Sequence, residues 1–140
     1  MKNIVILGST GSVGIQTLDI VRAFSDELNV IGLVANNNIQ LLNEQITEFK
    51  PDFINCNEQL INSIEIKGAK HENTINIISN PIVDIIVVAT PSLHSLEETL
   101  EALKIGKVIA LASKEIIVSA QSLLDEIKDV RQNILPVDSE

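Results

Sequence analysis

Two carboxylates stand close together near residue 140. Asp138 and Glu140 follow the apolar residues Ile134 and Leu135, where a β-strand is expected to end. Residues two apart in an extended chain point to the same side, so both carboxylates would face one point. Carboxylate oxygens are the ligands that hard divalent cations prefer. The pair predicts part of a Mg²⁺ or Mn²⁺ site, and a site begun by two residues predicts a fragment of a larger protein.

A glycine-rich loop, G-S-T-G-S-V-G, stands near the start of the chain. Its glycines are Gly8, Gly11 and Gly14, between a predicted strand and a predicted helix. We expect Gly8 to permit a tight turn, Gly11 to let the backbone approach a pyrophosphate, and Gly14 to let the helix pack on the strand. The helix N-terminus supplies N–H groups and the positive end of its dipole. Thr10 and Ser12 add hydroxyl groups, so the loop predicts a dinucleotide site.

An uncharged loop follows the second predicted strand and consists of Asn36, Asn37 and Asn38. Domains that bind NAD usually carry an acidic residue there, which accepts a hydrogen bond from the ribose 2′-hydroxyl. A carboxylate would repel the 2′-phosphate of NADP, whereas asparagine amides and backbone N–H groups can donate to it. The loop therefore favours NADP over NAD, although no Lys or Arg stands near it in the sequence.

Lys114 and Glu115 follow a predicted strand at residues 107–111 and open a predicted helix. Ligands bind at the carboxyl ends of strands in open α/β sheets. A lysine there can hold a substrate phosphate or hydroxyl, and the glutamate can accept from a ribose hydroxyl. Such a pair is more often plain surface charge, so the residues alone leave both interpretations open.

The composition restricts the class of protein. The 140 residues carry a net charge of -9, which argues against a nucleic-acid or anionic-membrane partner. Cys56 is the only cysteine, so an internal disulfide is excluded and a reducing compartment is favoured. No segment approaches the roughly 18 apolar residues of a membrane span. We expect a cytoplasmic protein without a membrane partner.

Strand-like and helix-like segments alternate along the whole chain. Strands are predicted at residues 3–7, 30–34, 53–55, 84–89, 107–111 and 134–137, and helices at 12–24, 39–49, 93–104 and 115–131. The pattern is weaker over 57–80, where a helix at 58–64 and an edge strand at 74–79 are expected. The alternation predicts an α/β fold, a Rossmann-type doubly wound parallel sheet in a single domain over residues 1–140.

Three segments together resemble the 1-deoxy-D-xylulose 5-phosphate reductoisomerases. They are the glycine loop, S-K-E followed by I-I-V-S-A, and L-P-V-D-S-E, in order and at fitting spacing. The family makes 2-C-methyl-D-erythritol 4-phosphate in the non-mevalonate isoprenoid pathway. The resemblance implies the NADPH-binding portion of this oxidoreductase, ending at the start of the catalytic domain and inactive alone. It also implies a phosphorylated sugar substrate and a homodimer in the full-length enzyme.

The resemblance also implies roles for individual residues, none of them catalytic. NADPH-binding residues would be Thr10, Gly11, Ser12, Val13, Asn36, Asn37, Asn38, Ser113 and Glu115. Substrate would be held by Lys114, Ser139 and Glu140. The Mg²⁺ or Mn²⁺ ligands would be Asp138 and Glu140.

The chain departs from the family at several places. Relatives often have a basic loop at positions 36–38, and Ser113 replaces a family asparagine. The stretch at 89–95 also looks like sugar and homoserine dehydrogenases; we interpret its His94 as structural. Two alternatives therefore stay open: the nucleotide domain of such a dehydrogenase, and a non-catalytic nucleotide-binding remnant.

Overall fold

A single parallel sheet forms the centre of the protein. The computed structural model describes residues 1–90, 95–111 and 134–136. The strands are β1 (Lys2–Leu7), β2 (Leu28–Val34), β3 (Phe53–Asn55), β4 (Lys70–His71), β5 (Ile85–Val88), β6 (Val108–Leu111) and β7 (Ile134–Pro136). They form a seven-stranded sheet in the order β4-β3-β2-β1-β5-β6-β7, with each neighbouring pair parallel.

Helices connect the strands and cover the sheet. They are α1 (Ser12–Ala23), α2 (Ile39–Phe49), α3 (Thr74–Ser79) and α4 (Leu96–Lys104), with a 3₁₀ helix at Glu58–Ser63. The helical spacing of apolar residues predicted α2 at its observed bounds and α1 to within one residue. The helix expected at 58–64 is the 3₁₀ helix. The helix expected at 115–131 and the strand end at Val137 lie outside the described residues.

The central strand β1 shows why the sheet is covered on both sides. Successive strand residues point to opposite faces. Ile4 and Ile6 pack in one core cluster with residues of α1 and α2, whereas Val5 and Leu7 pack in a second cluster with residues of α3 and α4. Two buried faces require the continuous aliphatic run that the sequence shows. The predicted Rossmann-type doubly wound α/β fold is confirmed.

The prediction of an edge strand at Thr74–Ser79 was wrong, because this segment is helix α3. The side chain of Asn73 accepts a hydrogen bond from the Ile75 N–H, which caps the helix start. Ile77 and Ile78 are both fully buried, which a short helix achieves for adjacent residues and a one-sided edge strand does not. The outermost strand on this side is instead β4, within the polar stretch before Asn73.

The strand order creates a crevice beside β1. The chain passes from β1 to β2 on one side of it and later places β5 on the other side. Ligands bind outside the carboxyl ends of the strands at such a switch point. The loops after Leu7, Val34 and Val88 meet there. Among the described residues, no helix is both long and apolar enough to cross a membrane.

Candidate functional site

The glycine loop is held between the carboxyl ends of β2 and β5. Gly8 has a φ of +90° and donates its N–H to the Val34 carbonyl at 2.7 Å, and Ser9 donates to the same oxygen at 3.1 Å. A Cβ on Gly8 would lie 2.9 Å from the backbone of both Ala89 and Thr90. The loop therefore needs glycine for its conformation and for its contact with β5. The tight turn predicted at Gly8 is confirmed.

Gly14 brings helix α1 against this loop. A Cβ at this position would lie 2.2 Å from the Gly8 carbonyl oxygen and 2.7 Å from two backbone atoms of Ser9. No side chain fits at that separation. The close approach predicted for Gly14 is confirmed, but its partner is the loop backbone at Gly8 and Ser9 and not the strand, which ends at Leu7.

Gly11 differs from the other two glycines of the loop. It has ordinary extended torsions, φ -82° and ψ 175°, and a Cβ there would be 3.6 Å from its nearest neighbour, the Gly8 carbonyl oxygen. Nothing in the described protein therefore requires glycine at position 11. Gly11 is exposed, and a Cβ there would make only ordinary van der Waals contacts with the Gly8 and Ala89 carbonyl oxygens.

The N-terminus of α1 presents donors to this space. Gly11 is the capping residue but has no side chain to accept from the first turn, which contains no acidic residue. Within the described part of the chain, no acceptor is found for the N–H groups of Ser12, Val13 and Gly14. These groups and the helix dipole attract an anion. The residues thus fit a nucleotide pyrophosphate.

A buried side chain on α2 holds the glycine loop through a hydrogen bond, and sequence reasoning did not assign it. The amide of Gln45 donates from Nε2 to the Ser9 carbonyl oxygen at 2.9 Å, and the two residues are 4% and 0% exposed. Ser9 Oγ and Gln45 Oε1 have no partner among the described atoms. The sequence signal that could have identified it is a polar glutamine on the buried face of α2, beside the apolar residues Leu42 and Ile46. Gln45 joins α2 to the glycine loop.

The three asparagines after β2 are exposed and lie beside the crevice. Asn38 caps α2, because its Oδ1 accepts from the Leu41 N–H at 3.2 Å. Asn37 Oδ1 accepts from the side-chain amide of Asn57 at 2.9 Å, and the Asn36 carbonyl accepts from the Asn57 N–H at 3.1 Å. Asn38 is therefore a helix cap, while Asn36 and Asn37 are held by the chain that follows β3.

A cleft of about 280 Å³ opens at the carboxyl ends of the strands. Its lining includes Asn36, Asn57, Thr90 and Ser95, of which sequence reasoning assigned only Asn36. Thr90 donates from Oγ1 to Ser95 Oγ at 2.8 Å, so hydroxyl groups line one wall. The lining also includes the acidic Glu98, so one carboxylate stands among the neutral polar groups of the cleft.

Cys56 also lines this cleft and is largely buried, with 7% of its surface exposed. Burial raises the pKa of its thiol, because a thiolate would be poorly solvated there. Its Sγ contacts the Asn57 carbonyl oxygen at 3.3 Å. A neutral, buried thiol fits a structural residue, not a nucleophile or metal ligand.

The predicted substrate and metal residues lie outside the described residues, as does His94. They are Lys114, Asp138, Ser139 and Glu140, and two of the predicted NADPH residues, Ser113 and Glu115, lie outside the described residues as well. Over residues 1–90 and 95–111, no group of three His, Cys, Asp or Glu residues could hold a metal ion. The metal and substrate assignments thus stay predictions.

Curated relatives match along the whole chain. A 1-deoxy-D-xylulose 5-phosphate reductoisomerase from Caldanaerobacter subterraneus subsp. tengcongensis is 41% identical over 150 residues. The match covers 100% of this chain and 39% of the relative. The chain thus spans about two fifths of the length of such relatives.

Solved structures show the same fold. A crystal structure of DOX-P reductoisomerase in complex with NADPH, fosmidomycin and magnesium matches with a TM-score of 0.88 and 29% identity, over 99% of this chain and 37% of that one. A homoserine dehydrogenase from Thiobacillus denitrificans has a TM-score of 0.65 and 18% identity, over 98% and 29% of the two chains. At that identity the dehydrogenase shows a shared fold alone.

The match to a sequence family distinguishes the similarity to the reductoisomerase from the similarity to the homoserine dehydrogenase. The family model for 1-deoxy-D-xylulose 5-phosphate reductoisomerase matches residues 4–121, which include the glycine loop, the asparagine loop and the stretch at 89–95. The dehydrogenase-like appearance of that stretch therefore reflects the common nucleotide-binding fold. The chain belongs to the 1-deoxy-D-xylulose 5-phosphate reductoisomerase family.

Proposed function

We propose that the chain is the NADPH-binding portion of an enzyme that rearranges and reduces 1-deoxy-D-xylulose 5-phosphate to 2-C-methyl-D-erythritol 4-phosphate. The observation that carries the proposal is the set of N–H groups at the start of α1, which have no acceptor among the described residues and follow the exposed Gly11. The family membership supplies the reaction. NADPH, when bound, supplies the hydride for the reduction.

The residues of the loop bind the cofactor without a charged side chain. Backbone N–H groups of Ser12 and Val13 donate to the pyrophosphate, and the hydroxyl of Thr10 adds a further donor. Gly11 permits the approach, since any side chain there would occupy the same space. The helix dipole favours the negative charge.

The exposed asparagine loop is the binding site for the 2′-phosphate in this proposal. Asn36, Asn37 and Asn38 lie after β2 and offer amide and backbone donors, with no carboxylate among them. Hydrogen bonds to a charged partner are stronger than neutral ones, so amides can hold a phosphate. Ser113 and Glu115 are proposed to complete the NADPH site.

The substrate and metal belong to the same proposal. Lys114, Ser139 and Glu140 are assigned to the phosphorylated sugar, and Asp138 and Glu140 to Mg²⁺ or Mn²⁺. The metal would act as a Lewis acid on substrate oxygens. We also propose a cytoplasmic location and a homodimeric full-length enzyme, as the resemblance implies.

A Gly11→Ala variant tests cofactor binding directly. The new methyl group fits the protein, at 3.6 Å from its nearest atom, but would enter the pyrophosphate space. We expect NADPH affinity, measured by calorimetry, to fall at least about tenfold with little change in the melting temperature. The loss of a glycine cap and the lower entropy of the unfolded chain are of similar size and oppose each other.

Gly68→Ala is the matched control. Gly68 has a φ of +93° and open space around it, so alanine should cost about 1 kcal/mol of stability and leave NADPH binding unchanged. Failure of the unmodified chain to bind NADPH at millimolar concentration would refute the proposed cofactor site. Equal affinity of the Gly11→Ala variant and the unmodified chain would show that the cofactor does not approach this loop.

A turnover assay tests separately whether the 140-residue chain can catalyse the reaction by itself. Because the chain spans 39% of its relative, we expect no NADPH oxidation by the 140-residue chain with 1-deoxy-D-xylulose 5-phosphate and Mn²⁺. The same assay on a full-length relative is the positive control. Steady turnover by this chain alone would contradict the assignment of catalysis to a larger protein.

A further inference from the structure

The bond between Asn57 and Asn37 has a consequence for cofactor choice that rests on the proposed function. Two asparagine side chains meet at 2.9 Å where β3 ends beside the exposed loop after β2. The backbones are also joined there, since the Asn57 N–H donates to the Asn36 carbonyl at 3.1 Å. The contact therefore continues the β2–β3 pairing into the nucleotide-binding loop.

A backbone donor fixes which way the Asn57 amide points. Asn57 Oδ1 accepts from the Gln59 N–H at 3.1 Å and so caps the 3₁₀ helix Glu58–Ser63. A backbone N–H can only donate, so this atom of Asn57 must be the oxygen. The Nδ2 group of Asn57 is then the atom that faces Asn37.

The orientation of Asn37 follows from that of Asn57. Because Asn57 Nδ2 donates, the atom of Asn37 that it meets is Oδ1. The Nδ2 group of Asn37 therefore points the other way, and the described residues offer it no acceptor. The side chain is exposed, so its two N–H donors are available to a ligand bound at the asparagine loop.

We infer that Asn57 is a positioning residue that selects NADPH over NADH. By fixing the Asn37 amide with its donors outward, it matches a ligand group that only accepts hydrogen bonds. The phosphate on the ribose of NADPH is such a group, whereas the free 2′-hydroxyl of NADH also donates. We call the two hydrogen bonds from the Gln59 N–H to Asn57 and from Asn57 to Asn37 the relay. The relay selects the phosphorylated cofactor, as a basic side chain does in a charged loop.

Asn57→Asp reverses the relay with a minimal change. A carboxylate still accepts from the Gln59 N–H and caps the helix, but it can only accept from Asn37. Asn37 must then turn its Nδ2 inward and present Oδ1 to the nucleotide. We expect the NADPH affinity to fall about tenfold or more, and the NADH affinity to change less than about threefold, by calorimetry on the 140-residue chain.

Two further variants separate orientation from added charge. Asn29→Asp adds the same charge at the start of β2, where the Asn29 side chain bonds the Asn3 side chain at 3.1 Å, and should leave both affinities unchanged. In an Asn37→Ala background, Asn57→Asp should have less than half of its effect on the logarithm of the affinity ratio. Asn57→Ser, which keeps the cap but shortens the reach, should lower the preference a few-fold and serves if the aspartate variant unfolds.

The outcomes separate a failure of the Asn57 inference from a failure of the proposed NADPH binding. An unmodified chain that binds NADPH tightly, with an unchanged preference in Asn57→Asp, refutes the relay and leaves the cofactor site intact. A full effect in the Asn37→Ala background, or equal binding of NADPH and NADH by the unmodified chain, also refutes it. If the unmodified chain binds neither nucleotide, the proposed function fails and the relay fails with it.

Discussion

The glycines of the nucleotide loop serve three different purposes. Gly8 adopts a positive φ, Gly14 makes room for the loop backbone, and Gly11 is required by nothing in the described protein. The first two are needed for folding, and the third is available to a ligand. Substitutions at these positions should therefore separate stability from binding.

Gly14→Ala is predicted to destabilise the fold strongly. Its methyl group would lie 2.2 Å from the Gly8 carbonyl oxygen, which is backbone and cannot rotate away. We expect the free energy of unfolding to fall by about 3 kcal/mol, the upper end of the cost of overpacking, in urea denaturation. Stability equal to that of Gly11→Ala would contradict the packing described here.

Gln45→Leu is predicted to weaken both the fold and cofactor binding. It removes the donor to the buried Ser9 carbonyl oxygen and leaves that oxygen without this partner. An unsatisfied buried group costs about 1–3 kcal/mol, and the freed loop should bind NADPH more weakly. Gln40→Leu, on the exposed side of α2, is the control for both measurements. Unchanged NADPH affinity in Gln45→Leu would show that the bond does not position the loop.

At the scale of elements, α1 and α2 are joined on the surface as well as through the core. Arg22 of α1 donates from two nitrogens to the carboxylate of Glu48 and lies over the Phe49 ring at 5.1 Å. The Arg22 hydrogen bond lowers the pKa of Glu48, more than burial raises it. Because α1 begins after the glycine loop and α2 after the asparagine loop, this ion pair joins the two helices that follow those loops.

Glu48→Gln is predicted to reduce stability in a pH-dependent manner. Because the pKa of Glu48 is lower in the folded than in the unfolded chain, its stabilisation is present above the ordinary value of 4.5 and disappears as pH falls through the lowered pKa. Both side chains are nearly half exposed, so the effect should stay below about 1 kcal/mol.

The measurement is urea denaturation of the variant and the unmodified chain at neutral and acidic pH. Their difference should shrink as the pH is lowered. Glu44→Gln on the exposed part of the same helix controls for the loss of one negative charge. A difference that grows on acidification would contradict the role of the ion pair.

At the scale of the whole molecule, an acidic protein is proposed to bind an anionic cofactor. The net charge is -9, and the asparagine loop contains no basic residue. Binding must then rely on short-range hydrogen bonds and the helix dipole, against a long-range repulsion. Salt screens the repulsion more than it weakens contacts that exclude water.

The affinity for NADPH is therefore predicted to be insensitive to salt or to increase slightly with it. Titrations at low and high sodium chloride should differ by less than about threefold. Asn37→Lys is the comparison, because a lysine beside the 2′-phosphate should raise affinity at low salt and make it fall as salt is added. A steep loss of affinity with salt in the unmodified chain would mean that basic residues, and not amides, hold the phosphate.

The sequence by itself determined the local structure of this protein. The aliphatic runs predicted the described strands except β4, which lies in a stretch expected to be a polar connection. The spacing of Leu42, Ile46 and Phe49 predicted α2, and the loop motif placed the turn at Gly8. Each of these depends on residues close together in the chain. It failed at Thr74–Ser79, where a short apolar run fits a strand as well as a helix and the cap at Asn73 decides.

Only the tertiary structure decided which distant residues meet. Gln45 reaches Ser9, and Asn57 orients Asn37, across 36 and 20 positions of the chain. No local period carries that information, because it depends on the order in which the strands are paired. The sequence thus predicted two loops as a nucleotide site, and the fold showed which side chains hold those loops in place.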